Sequence, residues 1–181
     1  MLRPFALEGH CARLEPLAER HVEGLAAAAA EDRSSYAFTR VPDGLADDRL
    51  VGCTRYLDLE TFGTADGEPS DDRPPSVLEI GATWYAASAQ RTAVNTSVKL
   101  ALLGQAFDAW GALRVTLKTD ARNQSSRTAI LRLGARFEGI RRAHMPAVDG
   151  TVRDTAYYSI VRAEWPGIRD VLERRSASGA T

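Results

Sequence analysis

The segment from Leu78 to Gly134 constrains the fold of this chain more than any other part of it. Its pattern predicts a strand, a loop, a helix with one apolar face, a second strand and a second helix, over 77–85, 86–95, 96–110, 113–118 and 123–134. A strand, loop and helix in this order bring backbone N–H groups to a helix N-terminus, where the helix dipole favours an anion. The segment therefore predicts a site for an anionic cofactor.

The flanking segments predict a mixed sheet rather than a repeated strand–helix unit. Alternating apolar residues indicate further strands at 11–17, 50–59, 136–142 and 152–161. Further helices are predicted at 18–31 and 164–175, and Gly, Pro and acidic residues indicate loops at 32–48 and 61–75. We expect a single α+β domain over residues 1–175, followed by a polar tail at 176–181.

Composition excludes several classes of protein. The 181 residues are 44% hydrophobic and 26% charged with a net charge of -1, as in an ordinary globular domain rather than a protein that coats nucleic acid. A local basic patch at Arg136, Arg141 and Arg142 is not excluded. Cys11 and Cys53 are isolated, so we expect reduced thiols, a cytoplasmic location and no bound metal. No apolar run is long enough to span a membrane.

Short motifs follow one another in a characteristic order. They are Arg13-Leu14-Glu15-Pro16-Leu17, Leu78-Glu79-Ile80-Gly81, Gln90-Arg91-Thr92-Ala93-Val94-Asn95-Thr96 with Lys99, Lys118-Thr119-Asp120-Ala121-Arg122-Asn123-Gln124-Ser125-Ser126-Arg127, Arg132-Leu133-Gly134-Ala135, Glu138-Gly139, Asp149-Gly150, Arg153-Asp154 and Glu164-Trp165-Pro166. In this order the chain resembles the GNAT N-acetyltransferase family, and within it the RimJ/RimL-like protein acetyltransferases.

The resemblance implies a GNAT fold, which is an α+β fold with a mixed, mainly antiparallel sheet splayed at its centre and helices on both faces. It implies direct transfer of an acetyl group from acetyl-CoA to a primary amine, most readily a protein N-terminal α-amine such as that of a ribosomal protein. Acetylation of a small amine, or a non-catalytic module that binds acyl-CoA, are the alternatives. No direct nucleic-acid or membrane partner is expected, and a homodimer is left open.

The pyrophosphate loop of the family corresponds to Gln90–Asn95, with Ala93 and Asn95 at two positions that are usually small. Asn95 tolerates a left-handed backbone and is also expected to cap a helix that begins at Thr96; capping alone is the competing interpretation. The predicted cofactor contacts are Trp84, Tyr85, Gln90, Arg91, Thr92, Ala93, Val94, Asn95, Thr96, Lys99, Asn123 and Ser126. Trp84 and Trp110 also fit the core, and Lys99 also fits a solvated lysine.

The resemblance also suggests catalytic roles. Glu79 is the favoured base for the amine, against an alternative in which it faces away or pairs with an arginine. His144 is a second candidate base. Asn123 and Ser126 fit a helix cap as well as the acyl end of the cofactor, and Ser126 is expected to aid the leaving thiolate because Ile130 replaces the usual tyrosine. Asp154 is expected to orient the acceptor or a neighbouring strand.

One part of the family pattern does not fit. The family places a helix and a full strand between the first helix and the strand at 50–59, and residues 32–48 are too few for both. Either the chain lacks this element or a piece near Ala46-Asp47 is missing from the sequence. Because that element normally forms one wall of the acceptor site, the sequence is least informative about the acceptor.

Overall fold

The computed structural model describes residues 5–32, 50–63 and 73–178. The strands in these ranges are β1 (Leu7–Glu8), β2 (Arg13–Leu14), β3 (Gly52–Glu60), β4 (Val77–Tyr85), β5 (Arg114–Asp120), β6 (Arg136–Pro146) and β7 (Val152–Val161). The α-helices are α1 (Val22–Ala30), α2 (Val94–Gly104), α3 (Gln124–Arg132) and α4 (Trp165–Ser178). Most of the two predicted loops, and the region of the missing family element, lie outside the described residues.

The main sheet has five strands in the order β3-β4-β5-β7-β6, and β1 and β2 form a separate small sheet. In the main sheet β4 and β5 are parallel, whereas β3–β4, β5–β7 and β6–β7 are antiparallel. The prediction of a mixed, mainly antiparallel α+β sheet is therefore confirmed.

The two central strands separate after a short parallel stretch. β4 pairs with β5 only from Val77↔Arg114 to Glu79↔Thr116, although β4 continues to Tyr85. β5 stays paired with β7 as far as Asp120↔Thr155. The strands at the centre of the sheet thus diverge, as predicted, and leave a gap that opens toward their C-terminal ends.

Helices flank the sheet. Alternate residues of β4 and β5, such as Leu78 and Val115, join α2, α3 and α4 in one buried core that includes Leu103 and Leu172. α1 packs in a second cluster, where Leu25, Ala28 and Ala29 contact Trp84 and Ala86. No helix in the described ranges is both long and apolar enough to cross a bilayer.

Several predicted boundaries are wrong. β6 continues past Arg142 to Pro146, with a left-handed residue at Ala143 (φ 46°) where its register against β7 shifts. This bulge interrupts the alternating pattern, which is why the sequence suggested an earlier end. α4 continues to Ser178 and Ser176 is buried, so the polar tail does not begin at 176. α2 ends at Gly104 and runs into a π-helical turn at Gln105–Ala109.

Candidate functional site

A cavity of about 970 Å³ occupies the gap between the diverging strands. Its walls come from β3, from the second half of β4, from the loop and first turns of α2, from the end of β5, from α3 and from the β6–β7 hairpin. Residues 117–120 of β5 and 80–85 of β4 therefore face one cavity from its two sides.

The facing edges of these strands determine what the cavity can hold. Beyond Glu79 and Thr116 the backbone N–H and C=O groups of β4 no longer pair with those of β5. Such edges accept an extended molecule that carries its own amide groups, in the manner of an added strand. The gap therefore suits a narrow ligand with amide bonds along its length.

One end of the cavity is the loop that leads into α2. Gln90, Arg91, Thr92, Asn95 and Thr96 line it, whereas Ala93 and Val94 border a separate, smaller cavity on the other side of the loop. The first amides of a helix have no intrahelical acceptor and point along the helix axis. Together with the dipole of α2, they make this end of the cavity favourable for a phosphate group.

The predicted N-cap at Asn95 is wrong. α2 begins at Val94, and Asn95 lies in its first turn. The left-handed residue of the loop is Arg91 (φ 58°), and Ala93 is already near helical geometry (φ -67°, ψ -9°). The Thr92 hydroxyl accepts from the Val94 N–H at 3.3 Å and donates to the Ala89 carbonyl at 2.7 Å, so Thr92 holds the turn that leads into α2.

The opposite wall contains the N-terminus of α3. The Asn123 carboxamide oxygen accepts a hydrogen bond from the Ser126 N–H at 2.9 Å, so the predicted cap is confirmed. Asn123 and Ser126 both line the cavity, and Ile130 lines it one turn further along α3. The cap leaves the Ser126 side chain available to a ligand in the cavity.

Glu79 lies where the two strands part, and it borders the cavity. It is buried, and its carboxylate forms an ion pair with Lys118 Nζ at 2.6 Å. Burial raises the pKa of Glu79, against the opposing effect of Lys118. A side chain at Gly81 would collide with this carboxylate, so the glycine keeps the space beside it open. The alternative expectation of a cationic partner is met, with a lysine in place of an arginine.

His144 lies within β6 rather than after it. Its Nδ1 is 2.9 Å from the Thr155 hydroxyl and its Nε2 is 3.2 Å from the Tyr157 hydroxyl. Burial lowers the pKa of His144, and the charges of Arg141, Lys118 and Arg153 lower it further. These contacts anchor His144 on β7. It does not line the cavity.

Asp154 accepts from the Ala143 N–H at 2.8 Å, a contact that supports the bulge of the neighbouring strand.

Lys99 is not a solvated lysine. It is 4% exposed, and its Nζ donates to the hydroxyls of Thr54 at 3.0 Å and Thr83 at 2.7 Å. Burial lowers the pKa of Lys99 to about 7, an effect that the neighbouring Cys53 partly offsets. Lys99 thus joins α2 to β3 and β4, and it also lines the cavity.

We expect this lysine to make stability depend on pH. The unfolded chain binds a proton at residue 99 up to about pH 10.5, whereas the folded protein loses it near pH 7. Stability should therefore rise with pH across this window, by at most about 1.4 kcal/mol per pH unit. Lys99→Met removes the titration, so the stability of the variant relative to wild type should fall between pH 7 and pH 9. Urea unfolding at both pH values measures this, and a constant difference would contradict it.

The aromatic residues near the cavity have mixed roles. Trp84 is buried against α1 and, together with Tyr85, also borders the cavity. Trp110 packs against the main core and Tyr56, as expected for a core side chain. Neither Lys118 as the partner of Glu79 nor the position of Arg153 along the cavity was predicted. The only sequence signal for the lysine was the acidic residue on an apolar strand, because a buried carboxylate needs a cation nearby.

No family model matches the chain. No curated protein matches it either.

Among the described residues, no group of three or more His, Cys, Asp or Glu side chains is arranged to hold a metal ion.

Solved structures do match. A presumed acetyltransferase from T. thermophilus is 28% identical with a TM-score of 0.76, over 97% of this chain and 98% of that chain. A GCN5-related N-acetyltransferase from Brucella melitensis is 24% identical with a TM-score of 0.77, over 99% of this chain and 91% of that one. Mycobacterium smegmatis RimJ, solved in complex with CoA-disulfide, is 17% identical with a TM-score of 0.71, over 97% and 94%.

These structural neighbours are GNAT acetyltransferases, and the chain has the GNAT fold. RimJ, at its lower identity, adds support for the fold alone.

Proposed function

We propose that this protein is an N-acetyltransferase that moves the acetyl group of acetyl-CoA to a primary amine. The observation that carries the proposal is the single cavity that joins the α2 loop, the diverging edges of β4 and β5, and the start of α3. The acetyltransferases of similar structure support this class of activity. Coenzyme A has a pyrophosphate, an arm with amide bonds and a terminal thiol, which are the features that these three parts of the cavity would bind in turn.

The residues present fit such a ligand. The amides at the start of α2 would hold the pyrophosphate, and the cationic side chain of Arg91 lines the same end of the cavity. The unpaired edges of β4 and β5 would bind the amide-bearing arm. The thioester would then lie between Glu79 and Ser126, which line the cavity from β4 and from α3.

The chemistry requires a neutral amine beside the thioester. The amine nitrogen attacks the carbonyl carbon, a C–N bond forms, and the C–S bond breaks to release CoA thiolate. Glu79 takes the proton from the nitrogen, and its raised pKa brings it closer to that of the amine. The Ser126 hydroxyl donates a hydrogen bond to the departing sulfur.

A protein N-terminal α-amine is the favoured acceptor. Its pKa of about 7.7 to 8.0 leaves a useful neutral fraction at neutral pH, whereas the amine of a lysine is almost fully protonated there. A site with a single buried carboxylate as base therefore suits an α-amine. A small amine is the competing acceptor, and a cytoplasmic location for either reaction is part of the proposal.

A non-catalytic role is the second candidate. Ala93, Asn95 and Ile130 depart from the pattern of the catalytic family members, which favours a module that binds acyl-CoA without turning it over.

One experiment separates these functions. Release of free CoA thiol from acetyl-CoA would be followed with peptides that have a free N-terminus, with the same peptides acetylated at that terminus, and with small amines. We expect turnover with the free peptides only. Turnover with small amines alone would favour the competing acceptor. CoA binding by calorimetry without turnover on any amine would favour the non-catalytic module.

A further inference from the structure

Lys118 lies between two carboxylates of different exposure. Its Nζ is 2.6 Å from a Glu79 carboxylate oxygen and 3.3 Å from a carboxylate oxygen of Asp58. The Glu79 side chain is 4% exposed and that of Asp58 is 68% exposed. One ammonium group therefore connects the buried acid at the cavity with an acid at the surface.

The backbone of β3 is distorted at the surface acid. Asp58 has φ 47°, a left-handed conformation that is uncommon for a residue within a strand. The register of β3 against β4 shifts between Leu57 and Glu60, which is the segment that contains Asp58. Strained backbone of this kind persists only where the surrounding structure holds it, and it concentrates at functional sites. Here the distortion accompanies the Asp58–Lys118 contact.

We propose that Lys118 is a positioning residue that keeps Glu79 ionised until the acceptor amine gives up its proton, and that Asp58 balances the Lys118 charge once Glu79 is protonated. This inference rests on the proposed acetyl transfer. Before the step, two carboxylates surround one ammonium group. After the step the proton is on Glu79, and Lys118 and Asp58 remain as a neutral pair. The buried region therefore never holds an uncompensated cation, which would be costly.

Other groups on this face bear on the same charges. Arg55 is opposite Gly81 in the β3–β4 register and lines the cavity. Lys118 is opposite Tyr157 of β7 and lies 6.0 Å from the centre of its ring. The pKa of His144 on β6 is lowered by burial and by Arg141, Lys118 and Arg153, and Asp58 opposes this. Of these groups, only Lys118 directly contacts both acids.

The two partners of the pair should affect Glu79 in opposite directions. Burial is the main cause of the raised pKa of Glu79; the hydrogen bond and charge of Lys118 lower it, and Asp58 raises it. Removal of Lys118 should therefore raise the pKa of Glu79 further. Removal of the Asp58 charge should lower it by a smaller amount, because Asp58 is exposed and screened by solvent.

The test uses the full chain with Lys118→Met and Asp58→Asn, and with Lys118→Arg as the matched control that keeps the cation. Asparagine tolerates the left-handed backbone, so Asp58→Asn removes charge without a change of shape. The readouts are the carboxyl carbon signal of Glu79, titrated by NMR, and the acidic limb of the kcat/KM profile against pH. We expect the pKa of Glu79 from NMR and the midpoint of the acidic limb to rise by about one pH unit or more in Lys118→Met. Both should fall in Asp58→Asn and stay near wild type in Lys118→Arg.

The outcomes separate this inference from the proposed function. The inference would be overturned if the pKa of Glu79 shifted in the same direction in Lys118→Met and Asp58→Asn, or if it did not shift in either variant. This holds even if the enzyme turns over. The expected titration shifts in a protein that acetylates no amine would instead overturn the proposed function, because the NMR measurement needs no turnover.

Discussion

Ala93→Pro should abolish binding of CoA. Residue 93 immediately precedes the first helical residue of α2. Although the residue borders the smaller cavity on the other side of the loop, its amide is one of the donors at the helix N-terminus that would hold the pyrophosphate. Proline removes this N–H donor. The φ of Ala93, at -67°, is already the value that proline requires, so the substitution leaves the backbone at this residue largely unchanged.

Ala93→Gly is the matched control, because it keeps the amide and removes only a methyl group. We expect it to bind CoA as well as wild type, or better, since the pyrophosphate loop that this segment resembles usually has a small residue here and glycine is smaller than alanine. Calorimetric titration with CoA measures both variants, and circular dichroism establishes that both are folded. Wild-type affinity in a folded Ala93→Pro protein would end the idea that the loop amides hold the pyrophosphate.

Local patterns in the sequence correctly predicted two of the strands and one of the helix caps. β4 and β7 begin and end where alternating apolar residues place them, at Val77–Tyr85 and Val152–Val161. The Asn123 cap of α3 was also predictable, because the side chain bonds to a backbone group three residues away. Such features depend on residues that are close together in the sequence, so the local sequence is enough to predict them.

Two features were not predictable in the same way: one is a local backbone conformation, and the other is a contact between distant residues. The start of α2 follows from the left-handed backbone at Arg91 and the hydroxyl contacts of Thr92, and neither shows in a propensity pattern. The pairing of Glu79 with Lys118 requires the parallel register of β4 and β5, which the order of the elements does not specify. The sequence could therefore place Glu79 at the site but could not identify its partner.

Glu79→Gln should lower the rate of acetyl transfer by about a hundredfold or more, the usual scale for a positioned acid–base group. Glutamine keeps the shape of the side chain and can still accept a hydrogen bond from Lys118, but it cannot take a proton at neutral pH. In wild type, kcat/KM should rise with pH as Glu79 ionises, and burial places this limb above the usual range of a glutamate. The variant should lose that limb, and CoA affinity should change little.

His144→Ala is the comparison that tests the competing base. The histidine has hydrogen-bonding contacts with Thr155 and Tyr157 and lies outside the cavity lining, so its loss should have a much smaller effect on the rate. If Glu79→Gln is fully active while His144→Ala fails and shifts the acidic limb, the histidine is the base and the carboxylate only balances Lys118. If neither change affects the rate, the enzyme positions an amine that is already neutral. In that case the site would serve efficiently an acceptor whose pKa is close to neutral, such as an α-amine.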